Sequence, residues 1–170
     1  MFENVYSLST PIILCCLFSE IIYCTLFNKK HFQLKDSFAN LGTAIVNQCM
    51  NLVVFWVSFN VYKAVGKLSP WQLENSTLHF IFAVIGVDFL FYWFHRMGHT
   101  INILWASHMP HHSSEELNYT VALRSSITQR MIGILFYWPM AFFGFSPELI
   151  IAAIAMNLVL QFWQHTRSIT

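Results

Sequence analysis

Five of the chain's eight histidines fall within residues 95–112, spaced as His95-x-x-x-His99 and His108-x-x-His111-His112. Imidazole is the commonest metal ligand. A set built from histidines suits iron, zinc, copper or nickel better than calcium or magnesium, which prefer oxygen. A lone histidine usually has a structural use, and His31 and His79 are read that way. For the clustered five the plain reading is a wet surface loop; two paired boxes beside an acid in an apolar stretch point instead to a metal site. Asp88, Tyr92, His95 and His99 are spaced four, three and four, so a helix carries them as one stripe. Asn157, Gln161 and His165 form a second stripe of the same kind. Asp88 lies nearly two turns before His95, and is read as orienting a ligating imidazole rather than as a ligand. Pro110 interrupts any helix through the H-x-x-H-H segment and leaves a turn that folds its imidazoles back. Ser113 and Glu116 have the S-x-x-E spacing of a capping box, which predicts an amphipathic helix through Leu123.

The elements that must hold these residues are apolar. In 170 residues, 56% are hydrophobic and 10% charged, with a mean hydropathy of +0.51. Soluble domains carry about a quarter charged residues, so the expectation is an all-α integral membrane bundle. The net charge of +1 offers no basis for nucleic-acid binding. Cys15, Cys16, Cys24 and Cys49 lie in apolar stretches without C-x-x-C spacing and read as small fillers. A first span is expected over residues 5–27 as a retained helix rather than a signal peptide, because no basic region and no small-residue cleavage site precede it. Glu20 interrupts it, and two readings stay open: a bundle-facing functional acid, or an interfacial one. Residues 38–62 form a second span, in which Asn47, Asn51 and Ser58 make a polar stripe suited to sealing helix against helix. Residues 63–77 form a polar loop whose Asn75-Ser76-Thr77 is a short, weak match to a glycosylation sequon. A third span begins at Leu78. Ser146, Pro147 and Glu148 are helix-start signals after Gly144, so the remainder reads as a hairpin of helices over 127–144 and 147–165.

Five spans with the N-terminus outside place Lys29, Lys30, Lys35, Arg96, Arg124, Arg130 and Arg167 on the cytoplasmic side, against Lys63 and Lys67 outside. The same threading puts His95, His99, His108, His111, His112 and His165 on the cytoplasmic side, as a cap on about five transmembrane helices. Two regions are expected: residues 1–77, a two-helix membrane region, and residues 78–170.

The spacing of Asp88 to His95, the box His95-Arg96-x-x-His99 and the run Trp105-Ala106-x-His108-x-x-His111-His112 resemble the fatty acid hydroxylase and sterol desaturase superfamily of membrane non-haem di-iron enzymes. HHSSEELNYTVALRSS is similar to the alkylglycerol monooxygenase branch, and the resemblance covers about residues 78–166. It implies oxygen-dependent hydroxylation of a lipid alkyl or acyl chain by two iron ions, with His95, His99, His108, His111, His112 and His165 as ligands. Glu115 and Asn118 would stand near the site. Within the branch, tetrahydrobiopterin is the implied reductant and hydroxylation beside an ether oxygen releases an aldehyde. Members continue into a further H-x-x-H-H box, so residues 78–170 read as a domain incomplete at its C-terminus. The expected membrane is the endoplasmic reticulum or a bacterial inner membrane, and no spacing fixes an oligomeric state.

Three other readings compete. A b-type haem protein uses single axial histidines from facing helices and has no use for adjacent pairs. A transporter places its ligands near the membrane midplane. A catalytically inactive, truncated metal-binding membrane protein is the reading in which the missing box is essential.

Overall fold

The computed structural model describes residues 5–29 and 31–168, leaving aside the side chains of residues 5–10, 34 and 35. Among the described residues the structure is helical and has no strand: α1 (Val5–Leu26), α2 (Leu34–Gly66), α3 (Thr77–Thr100), α4 (Asn102–His108), a 3-10 turn (His111–Ser113), α5 (Tyr119–Ala122), α6 (Ile127–Phe142) and α7 (Pro147–Phe162).

Local signals account for most boundaries. Ser146 caps α7 by accepting from the Leu149 amide at 3.2 Å, with Pro147 at the first helical position and Glu148 in the first turn. Ser76 caps α3 in the same way, accepting from the His79 amide. Asp36 and Lys63 stand in the first and last turns of α2, where their charges complement the helix dipole. That helix runs 33 residues, past both ends of the 38–62 span expected for it. Gly144 ends the α6 side of the hairpin at φ 92°, and a Cβ there would lie 2.8 Å from the Trp71 carbonyl oxygen. The loop after α2 is seated on this turn: Leu73 N–H donates to Gly144 O at 3.0 Å, and Ser146 Oγ to Asn75 Oδ1 at 2.8 Å.

Two helices, over Asp36–Gly66 and Thr77–Thr100, are long and apolar enough to cross a membrane by length and composition. Only 6% and 17% of their most apolar windows are buried within the protein. Leu52, Trp56, Ile85 and Phe89 face outward, which in water would be a large unpartnered apolar surface and in lipid is the expected one. The chain is a membrane protein. The hairpin helices are shorter than expected, 16 residues each, or about 24 Å of rise against the ~30 Å of a hydrocarbon core.

The apolar core lies where α3 meets α6 and α7, built on Ala83, Val87, Ile134, Met140, Ile150 and Ala153. At the other end Tyr119 stacks on Phe162 with ring centroids 4.5 Å apart, and Leu17 of α1 completes the packing. Glu20 is bundle-facing and 3% exposed. Its carboxyl oxygens accept from the Tyr119 amide at 2.7 Å, from Ser168 Oγ at 3.1 Å and from Thr166 Oγ1. Of the two readings open for this acid, the structure selects the bundle side, in the role of a clamp.

Connectivity sorts the ends as the charge pattern predicts. The α2–α3 loop and the α6–α7 turn share one end, with Lys63, Lys67 and His79, whose Nδ1 stands 2.7 Å from Glu74 O. Lys29, Arg96, Arg124 and Arg167 share the other with the histidine boxes, while Lys30 and the Lys35 side chain lie outside the described residues.

The predicted helix from Ser113 through Leu123 does not form. Ser114 Oγ donates to Asp36 and to Glu116 O, and Ser114 is itself extended, so that residues 115 and 116 form a bend instead of a helical turn. Ser113 instead closes the 3-10 turn on Pro110 O at 2.8 Å, and the Glu116 carboxylate meets Arg167 at 3.3 Å. The four-residue α5 is capped by Asn118, whose Oδ1 accepts from the Thr120 amide at 3.0 Å.

Candidate metal centre

Helix α3 continues to Thr100, so His95 and His99 stand one turn apart on its last two turns. Their Nε2 atoms are 3.2 Å apart. Helix α4 then folds back on α3, where Gly98 lets it approach: a Cβ at Gly98 would meet the His108 ring at 3.4 Å. His108 ends α4 and His112 lies in the 3-10 turn after Pro110, with their Nε2 atoms 2.9 Å apart. The predicted turn therefore does return its imidazoles. One nitrogen from each of His95, His99, His108 and His112 lies within 4.8 Å of the others. That is the scale of one coordination shell, since opposite ligands at about 2.1 Å from an ion are about 4.2 Å apart.

The other two boxed histidines form a pair. His111 Nδ1 stands 2.8 Å from Arg124 O, and His165 Nδ1 stands 3.1 Å from Gln161 O. A carbonyl only accepts, so each Nδ1 carries the proton and each Nε2 presents a lone pair. Those two Nε2 atoms face each other at 3.1 Å. Two neutral lone pairs at that distance repel; a cation between them removes the conflict, and two nitrogens on one ion at about 2.1 Å are separated by roughly 3.0–3.4 Å. The pair is continuous with the group of four, the His111 ring lying 5.1 Å from that of His112 and 5.5 Å from that of His108.

Burial shifts four of these rings toward the neutral form. Burial, with the neighbouring His95 imidazole, pushes His108 down to about 4, partly offset by the Gln129 side chain. Burial likewise lowers His111, His112 and His165, with adjacent histidines adding to the shift for the last two. Neutral imidazoles are the form that ligates. The donor set, all imidazole nitrogen, fits the transition metals expected from the sequence. Neighbouring histidine ring centroids 4.6–6.3 Å apart leave no flat gap for a macrocycle, which counts against the haem reading.

The six histidines come together, whereas the supporting residues differ from expectation. Asp88 touches no imidazole: its Oδ1 accepts from Asn157 Nδ2 at 2.8 Å, which joins the two predicted polar stripes to each other. Tyr92 leaves its stripe, exposed and accepting from Arg96 at 2.7 Å. Glu115 is exposed. Asn118 is buried as a cap and donates to His31 O at 2.7 Å. Two participants were missed. Trp105 covers the group of four, stacked on His112 at 5.8 Å and 5.5 Å from His99; its place three residues before His108 was a usable signal. Arg124 orients His111 through its backbone carbonyl, which no residue pattern marks.

A sequence model of the family described as "Fatty acid hydroxylase" matches residues 80–170. The chain is 31% identical to human alkylglycerol monooxygenase over 95% of its own length and 37% of the relative's. It is 34% identical to the zebrafish (Danio rerio) protein of that name over 93% of this chain and 36% of the relative. With the Xenopus tropicalis one it shares 48% identity over 59% of the chain and 22% of that protein. The matches thus span between about a fifth and little more than a third of the length of these curated relatives. No solved structure matches it with significance.

Proposed function

The chain belongs to the fatty acid hydroxylase family, and from that premise we propose that it is the metal-carrying part of a membrane-bound, di-iron monooxygenase that hydroxylates an alkyl or acyl chain of a lipid. The observation that carries the di-iron reading is the facing pair of His111 and His165, both held with Nε2 lone pairs inward, beside a separate group of four imidazoles. His95, His99, His108 and His112 would hold one ion, and His111 with His165 the other. The ions, when bound, supply the oxidising chemistry that side-chain acids and bases lack: one atom of O2 enters a C–H bond, the other leaves as water, and two electrons come from a reductant.

The protein's own residues bind and orient. Arg124 O and Gln161 O fix the tautomers of His111 and His165, and Trp105 shields His99 and His112. The cluster lies at the end of outward-facing apolar helices, which lets a lipid tail enter from the bilayer while O2 and reductant come from water. The names of the relatives favour an ether lipid of glycerol as substrate, and tetrahydrobiopterin as the reductant follows from the same branch resemblance. Lys29, Arg96, Arg124 and Arg167 at the histidine end, against Lys63 and Lys67 at the other, support a cytoplasmic site, in the endoplasmic reticulum or a bacterial inner membrane.

A second reading rests on ligand count. The pair offers its ion two protein nitrogens, and a chain that holds only the four-histidine ion is a metal-binding protein without the reaction. Elemental analysis of the detergent-purified chain separates the two. About two irons per chain, falling when His111 and His112 are changed to Ala, is the expected result. One ion assigns the chain to the second reading, and none overturns both.

A further inference from the structure

We infer that Asp88, Asn157 and Gln161 form a register pin that sets α7 against α3, and so places His165 relative to the histidines of α3. This rests on the proposed metal centre and adds three positioning residues to it. Asp88 Oδ1 accepts from Asn157 Nδ2 at 2.8 Å, Asn157 Oδ1 accepts from Gln161 Nε2, and the Gln161 backbone carbonyl accepts from His165 Nδ1 at 3.1 Å. The pin lies about two helical turns from the ligands on both helices, since Asp88 precedes His95 by seven residues and Asn157 precedes His165 by eight.

Such a device is needed at this interface. Around it α3 and α7 meet through Ala83, Val87, Ile150 and Ala153, small or smooth apolar side chains. In lipid there is no hydrophobic penalty against one helix sliding or rotating on another, so directional hydrogen bonds carry the register. His165 also lies beyond the last residue of α7, and its ring shares the Gln161 carbonyl with the Gln164 amide, which donates to it at 3.1 Å. Fixing the Gln161 side chain through Asn157 therefore fixes the turn from which His165 hangs. Asn157 is 2% exposed, as expected of a buried amide used on both sides.

The test is a cobalt(II) titration of the detergent-purified chain, read by ligand-field absorption, beside hydrogen exchange of residues 161–165 in the metal-free chain. Asp88→Ala and Asn157→Ala are expected to weaken the ion held by His111 and His165 about 10–100-fold while leaving the four-histidine ion unchanged, and to speed exchange in 161–165. The double variant is expected to be no weaker than the weaker single one. Asp88→Asn, whose amide oxygen still accepts from Asn157, is expected to bind like the parent. Unchanged binding in both alanine variants, equal weakening of both ions, additive losses, or an Asp88→Asn variant as weak as Asp88→Ala would each overturn the pin. A parent chain that binds no cobalt overturns the metal centre instead, and exchange alone then decides: faster exchange in the alanine variants supports the pin, and unchanged exchange refutes it.

Discussion

At the residue scale the centre depends on which nitrogen of each imidazole is free. His111 and His165 commit Nδ1 to backbone carbonyls and so turn Nε2 inward. His111 owes this to Arg124, whose guanidinium donates to Asp36 at 3.2 Å and to Asn40 at 2.9 Å. Both members of the Arg124–Asp36 ion pair are largely buried, 16% and 14% exposed in their side chains. Removing one partner of a mostly buried pair leaves the other charge uncompensated. Arg124→Leu is therefore expected to cost about 3 kcal/mol in a denaturation titration and to loosen the second ion. An Asp36→Leu/Arg124→Leu double variant that is less stable than the sum of the singles would contradict that pairing.

At the element scale α2 does more than seal against a neighbour. The expected stripe of Asn47 and Asn51 does reach across, Asn47 donating to Ser125 O at 2.6 Å and Asn51 accepting from Arg130. Ser58 turns back to Val54 O of its own helix. Asp36 and Asn40 extend the stripe to the histidine end, so one face of α2 grips the whole segment from Ser114 to Arg130 that follows the boxes. At the opposite end the α6–α7 turn depends on Gly144. Its positive φ and the 2.8 Å approach to Trp71 O leave no room for a side chain. Gly144→Ala is expected to destabilise by about 1–3 kcal/mol without changing metal content. A variant with parental stability and lost metal would show that the turn acts on the centre and not on the hairpin.

At the scale of the whole molecule, the helices carry charge to one end and expose apolar faces along their length, which sets how the protein sits in a membrane. The proposed orientation makes a direct prediction. In sealed vesicles displaying the extracytoplasmic face, a Ser69→Cys variant should react with an impermeant thiol reagent, and a Ser113→Cys variant only after the vesicles are opened. Since Cys15, Cys16, Cys24 and Cys49 are also free, both are made with those four changed to Ser. The opposite labelling pattern would reverse the orientation.

Much of this was legible without coordinates, for a definite reason. Helix periodicity and helix-start signals are local, so the α6–α7 hairpin with its Ser146 cap, the turn at Pro110, the two polar stripes and the six histidines could be read along the chain. Other features depended on how helices rotate about their own axes. Asp88 faces Asn157 and not an imidazole, Tyr92 turns away, and the S-x-x-E box is overruled when Ser114 finds Asp36, 78 residues earlier in the chain. The groups that orient His111 and His165 are backbone carbonyls, which every residue has and no pattern marks. The sequence by itself determined which six histidines are grouped and that they share one end of the bundle. Only the tertiary structure decided how six imidazoles divide into four and two, because that division depends on contacts between distant segments whose directional hydrogen bonds have no local period.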